Sequence, residues 1–318
     1  MLLQILILAS GVAILAVGAD LFVKGASSVA ERFGISPFVI GLVIVGFGTS
    51  TPELAVNIGA AVNGNTDIAI GNVVGSNIAN VGVILGLAAL VAPLAVQLRM
   101  VRVELPIMIA ISFLFWGLAS LGQLVRWEGF VLVGAFVAFM LLLLQTSKSE
   151  PATVQAEFAD ENPKAHRKLG GTIALIVLGL AGLMGGAHLC VGAAVTLATM
   201  WGMSELVIGL TIVAIGTSLP ELASSVMAAY RGHADIAIGN VLGSNIYNLL
   251  CVLGLTSIIT PLPTTAPTLM GLDIPVMIGF ALVLVPMMLM GYRITRWNGA
   301  FLLGAYASYV AYLLHIVS

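Results

Sequence analysis

The chain has 318 residues, 60% of them hydrophobic and only 8% charged, with a net charge of −2 and a mean hydropathy of +1.12. A soluble domain carries about a quarter of its residues as charges, so this composition excludes a soluble globular protein, and the near-neutral balance gives no footing for nucleic acid. The apolar runs are long and continuous rather than alternating, which excludes a membrane barrel and leaves an all-α integral membrane bundle.

A spanning helix needs roughly 20 apolar residues, and about ten such stretches lie near 2–30, 36–63, 67–93, 101–120, 126–145, 169–198, 204–231, 235–260, 270–291 and 297–316. The first lacks the basic leader of a signal peptide and is expected to stay as a helix. It carries Asp20 and Lys24, four apart and so on one face, which predicts an internal ion pair. The second contains "GTSTPE", Gly48 to Glu53, inside the span. Pro52 has no N–H, so the carbonyl of Gly48 is expected to lose its helical partner. Free backbone at membrane depth is tolerated only where it is buried in protein or lines a cavity.

Around that break stand Thr49, Ser50 and Glu53. Hydroxyl, carbonyl and carboxylate oxygens are hard donors that suit Na⁺ and Ca²⁺, and the sequence has no His or Cys cluster that would favour zinc or copper. An ionised Glu at the bilayer centre costs roughly 3 kcal/mol or more, so a bound cation or a proton should compensate it. The third span opens at Asp67, read as a helix N-terminal residue favoured by the dipole. It continues through "GNVVGSNIAN", where Asn72, Ser76 and Asn80 recur at spacing four and share one face. Gly71 and Gly75 form a small-xxx-small pair for close helix approach.

After the fourth and fifth spans comes the one sizeable polar stretch, Gln145 to Lys168, read as a connector. Beyond it the pattern returns. "GTSLPE" from Gly216 and "GNVLGSNIYN" from Gly239 repeat the earlier motifs without a gap, so that Glu53 falls on Glu221, and "SELVIGL" repeats "SPFVIGL" upstream. Asp235 takes the place of Asp67, and His188 that of Asp20, where a buried, hydrogen-bonded histidine is expected. Cys190 and Cys251 fall in apolar runs and read as small buried residues, not as a disulfide or a metal site.

The chain is therefore expected to be two repeats, 1–145 and 169–318, joined by a linker at 146–168. Each holds five spans, and an odd number inverts the second copy. With the N-terminus outside, Arg32, Arg99, Arg102, Lys148, Lys164, Arg167, Lys168, Arg231, Arg293 and Arg296 lie on the cytoplasmic side and only Arg126 faces out. The positive-inside rule then places both termini outside and 146–168 in the cytoplasm. Glycine faces alone would mean packing, but two symmetric glutamates beside prolines point to a cation site between broken helices.

The motif "GTSTPE" with "GNVVGSNIAN", repeated as "GTSLPE" with "GNVLGSNIYN", resembles the paired alpha repeats of the calcium/cation antiporter superfamily, in its sodium/calcium exchanger branch. The likeness covers nearly the whole chain. It implies a ten-helix membrane exchanger of Ca²⁺ and Na⁺, with no cofactor and no enzymatic activity, working as a single chain in the bilayer. By position, Glu53 and Glu221 are implied as central ligands for both ions. Thr49 and Thr217 would add oxygens, Ser50, Ser76, Ser218 and Ser244 hydroxyls, and Gly46 and Ala214 backbone carbonyls toward flanking Na⁺ sites. Asn80 and Asn248 would line the centre. Some relatives carry Asp at the place of Asn248, including potassium-dependent ones, so the Asn here argues against K⁺ cotransport.

Three other readings compete. A proton-coupled divalent-cation antiporter would use the same glutamates, although that branch shows a different motif around them. A cation channel would use the same oxygens, but channels usually gather a filter from several subunits. A hydrolase would need a zinc motif or a nucleophile with its base, and the sequence holds neither.

Overall fold

The computed structural model describes residues 1–147, 169–201, 214–266 and 268–317. In the first half, α1 is Leu2–Phe33. Helices α2 (Pro37–Thr49) and α3 (Thr51–Val62) form one broken span bent by 40°. They are followed by α4 (Thr66–Val91), α5 (Met100–Ala119) and α6 (Arg126–Ser147). In the second half, α7 is Leu169–Met200, α8 Ala214–Thr217 and α9 Leu219–Tyr230. Then come α10 (Ala234–Ile259), α11 (Leu269–Leu289) and α12 (Arg296–Val317). Among the described residues seven helices are long and apolar enough to cross a membrane, and the α2–α3 pair makes an eighth crossing. The α8–α9 pair repeats the break in the second half, where 202–213 lie outside the described residues, and α12 occupies the tenth predicted stretch.

Four two-residue strands report how the halves are related. They are β1 (Leu94–Ala95), β2 (Gln123–Leu124), β3 (Leu262–Pro263) and β4 (Arg293–Ile294). Antiparallel β1 pairs with β4, and β2 with β3. In the repeat β1 corresponds to β3 and β2 to β4, so each pair clips one half to the other and the two clips are images of one another. With ten crossings the 94 and 293 loops share one membrane face and the 123 and 262 loops the opposite one. Two halves of the same orientation would put the paired strands on opposite faces. The fold is an all-helical bundle of two inverted repeats.

Burial increases toward the symmetry axis. Helix α10 is buried along its length and α4 along most of it, whereas α1 and α7 are peripheral. The lipid gives helices no hydrophobic reason to associate, so close packing of small residues has to do it. On α1 and α7 these are Gly11, Gly18, Gly179 and Gly186: a Cβ at Gly179 would lie 2.5 Å from the backbone N of Phe22, and one at Gly18 2.7 Å from that of Leu183. Likewise Gly239 of α10 admits α2, where a Cβ would lie 2.6 Å from the carbonyl of Phe38.

The predicted ion pair is present, Lys24 Nζ lying 2.6 Å from Asp20 Oδ2. Arg231, just past α9, also reaches Asp20 and so ties α1 to the other half, a third member that spacing on one helix does not reveal. Asp67 and Asp235 stand in the first turns of α4 and α10 as expected. Cys190 and Cys251 are free and buried. His188 departs from its expectation: it is exposed, because the α7 stripe that packs on α1 runs through Leu183, Gly186, Ala187 and Cys190 and leaves His188 off that stripe.

The glycine contact makes a direct prediction. Gly179→Val should force α1 and α7 apart and destabilise the protein by about 1–3 kcal/mol, read as a lower melting temperature in detergent. Gly185→Ala, on an exposed face of the same helix, should leave melting unchanged or raise it slightly.

Candidate functional site

The break in each second span falls on a serine. Ser50 has φ −84° and ψ 7°, and Ser218 φ −92° and ψ 8°, neither of them helical. Thr51 and Leu219 begin new helices, with Pro52 and Pro220 in the first turn, where no N–H is needed. Each proline thus starts a second half-helix rather than kinking a continuous one. Glu53 and Glu221 also stand in those first turns, at the positive ends of α3 and α9, which favour a carboxylate.

The two breaks meet at the centre, and each half holds the other's glutamate. Ser50 Oγ donates to Glu221 Oε1 at 2.8 Å, while Ser218 Oγ lies 3.4 Å from Glu53 Oε1 and 3.5 Å from Ser76 Oγ. Both glutamates are buried, at 1% and 2% exposure, and in each the second oxygen, Oε2, has no hydrogen-bond partner. Asn80 and Asn248 repeat the pattern: their Nδ2 atoms donate to Asn245 Oδ1 at 2.9 Å and Asn77 Oδ1 at 3.1 Å, and both Oδ1 atoms are buried without a donor. Four acceptor oxygens, related two by two through the repeat, are therefore buried with no donor among the described protein groups. An unsatisfied buried polar group of this kind costs about 1–3 kcal/mol, more when charged, so the arrangement suits an oxygen-seeking cation.

The remaining predicted residues divide unequally. Thr49 is buried, its hydroxyl 2.9 Å from the carbonyl of Val45 and 3.3 Å from Asn240 Oδ1. Ser244 Oγ lies 3.3 Å from the carbonyl of Gly46, which places Ser244, Gly46 and Thr49 on one flank of the glutamates. Thr217 ends α8 next to Ser218 and is partly buried. Ala214 is the first described residue of α8.

Asn240 does more than the spacing pattern suggests. Its amide donates to Ser225 Oγ at 2.7 Å, Ser224 Oγ at 3.1 Å and the carbonyl of Glu221 at 3.2 Å, joining α10 to α9. Its counterpart Asn72 donates instead to Asn57 Oδ1 at 2.6 Å, and Asn57 to the carbonyl of Ala69 at 2.9 Å. Asn77 and Asn245 were not singled out by the i, i+4 pattern, because each lies one residue beyond the Ser76 or Ser244 position. Their recurrence in both "GSN" tripeptides was the available signal. Directly after the site each helix widens into a π turn, Asn80–Leu85 and Asn248–Val252, a distortion common at functional positions.

Comparison with known proteins agrees with this geometry. The family model described as sodium/calcium exchanger protein matches residues 3–145 and again 171–315. The chain belongs to the sodium/calcium exchanger protein family. It is a membrane cation exchanger of that family and not an enzyme. Among relatives, CaxA of Alkalimonas amylolytica is 42% identical over 319 residues, with 99% of each chain covered. The sodium/calcium exchanger MaX1 of Methanosarcina acetivorans is 36% identical over 345 residues, with 98% of each covered. The solved structure of the sodium-calcium exchanger NCX_Mj soaked with Na⁺ and Ca²⁺ superposes with a TM-score of 0.83 at 30% identity, covering 98% of each chain.

The unequal roles of the two motif asparagines can be measured. Asn240→Ala takes the donor from three acceptors on α9 and the acceptor from the Thr49 hydroxyl on α2, and should cost about 2–3 kcal/mol. Asn72→Ala should cost less, since it removes one bond from a partly buried side chain. Thermal melting of the two variants in detergent checks the order.

Proposed function

We propose that this exchanger is a secondary active antiporter that trades Ca²⁺ for Na⁺ by alternating access, with Glu53 and Glu221 as the shared central ligands. The observation that carries the reading is the two-fold set of buried, donor-less oxygens on Glu53, Glu221, Asn80 and Asn248. Charge supplies the coupling: two carboxylates are neutralised by one Ca²⁺ or by two Na⁺, so the two loads compete for one place and cannot share it. Thr49, Thr217, Ser50, Ser218, Ser76 and Ser244, with the carbonyls of Gly46 and Ala214, complete the ion shells and the flanking Na⁺ positions. The sodium/calcium exchangers MaX1 and NCX_Mj, alike over nearly the full chain, support Na⁺ as the counter-ion. With Asn at 248, no third carboxylate is present to demand K⁺.

The peripheral pair α1 and α7 is the element suited to slide across the fixed core. The halves are 1–145 and 169–318, and the basic residues place both termini outside and the 146–168 linker in the cytoplasm. One chain makes the whole two-fold site, so a monomer suffices for transport.

Ca²⁺ uptake by proteoliposomes preloaded in turn with Na⁺, with K⁺, or with a proton gradient alone tests the coupling. Uptake is expected with internal Na⁺ only. Uptake driven by the proton gradient would make the protein a proton-coupled antiporter, and uptake without any opposing gradient would make it a channel. Glu53→Gln and Glu221→Gln should each lower exchange by about 100-fold or more while leaving insertion intact, since either removes one of the two charges that a divalent ion needs. In a separate experiment, single cysteines at Gly122 and at Glu157 should react with an impermeant thiol reagent from outside and from the cytoplasm respectively. The reverse pattern would overturn the orientation.

A further inference from the structure

We infer that Asn77 and Asn245 are positioning residues that fix the amide orientation of Asn80 and Asn248, so that each presents an oxygen rather than an NH₂ group to the ion. The inference rests on the exchange site proposed above. Its starting point is a pair of groups whose polarity cannot be reversed. Asn245 Nδ2 lies 3.4 Å from the backbone carbonyl of Asn77, and Asn77 Nδ2 lies 3.3 Å from the backbone carbonyl of Asn245. A backbone carbonyl only accepts, so each side chain must turn its NH₂ toward it and its Oδ1 the other way. The weak acceptor Met108 Sδ, 3.7 Å from Asn245 Nδ2, agrees with that choice.

Asn245 Oδ1 needs a donor and receives it from Asn80 Nδ2, and Asn77 Oδ1 receives one from Asn248 Nδ2. With their NH₂ groups committed, Asn80 and Asn248 turn their Oδ1 atoms away from this network, and those are the two amide oxygens left buried without a donor. All four asparagines are nearly inaccessible, at 1% for Asn77, Asn80 and Asn248 and 4% for Asn245. An unanchored Asn80 or Asn248 would be free to flip and offer a partial positive charge to a cation. The same bonds cross from α4 to α10, so the device belongs to neither half alone.

A double-mutant cycle separates this role from simple helix packing. The readouts are calorimetric Ca²⁺ binding to the purified full-length protein and the half-saturating Ca²⁺ concentration of exchange in proteoliposomes. Asn77→Ala should raise both by about tenfold, with a smaller effect on the maximal rate. In the Asn248→Ala background, where no amide remains to be oriented, the same substitution should add less than about twofold. In the Asn248→Asp background it should not weaken binding, because the two oxygens of a carboxylate are equivalent. If Asn77→Ala weakens Ca²⁺ equally in all three backgrounds, Asn77 merely holds the helices and the inference fails. If Asn248→Ala alone leaves Ca²⁺ affinity unchanged, the failure lies with the exchange-site reading instead. The cycle of Asn245→Ala against Asn80→Ala poses the same question on the other half, should Asn77→Ala not be recovered folded.

Discussion

A carboxylate in the interior of a bilayer protein needs a counter-charge, and among the described residues neither Glu53 nor Glu221 has a basic partner. Each glutamate receives one serine hydroxyl from the opposite repeat and keeps an oxygen free. That constraint organises its surroundings. The helix is interrupted so that a positive helix end faces each carboxylate, the proline is placed where a lost N–H costs nothing, and small residues let the broken helices approach the centre. A site satisfied from within by a lysine or arginine would be more stable and would have no use for a transported ion.

Much of this was legible in the sequence because it rests on local rules. A proline next to a glutamate inside an apolar run, found twice in register, signals a broken helix with an ionisable group at depth. Asn72, Ser76 and Asn80 at spacing four mark one helix face. The inversion followed from five spans per repeat, and the strand clips β1–β4 and β2–β3 agree with it. The paired glutamates, the serines beside them and the helical fold are therefore legible in the sequence itself.

What escaped depends on contacts between elements. Arg231 joins Asp20 across the two halves, and nothing in either local sequence announces the other. His188 inherits the repeat position of Asp20 but lies off the α7 stripe that packs on α1, so its exposure is a tertiary outcome. The π turns at Asn80 and Asn248 carry no sequence pattern, since one extra residue in a helical turn leaves the composition unchanged. Asn57 against Ser225 shows the same limit: the two occupy equivalent positions, yet the substitution rewires the bonds of Asn72 and Asn240.

The strand clips have a consequence for how the molecule is held together. Among the described residues the closest seams run between the halves: β1 on β4 and β2 on β3, the glycine contact of α1 with α7, α2 against α10, and each serine on the other repeat's glutamate. Neither half finishes its own packing or its own site. The covalent connection between the halves gives those seams a high local concentration of one half for the other. The chain is in effect a fused heterodimer: two separately translated halves would carry these mutual contacts between them.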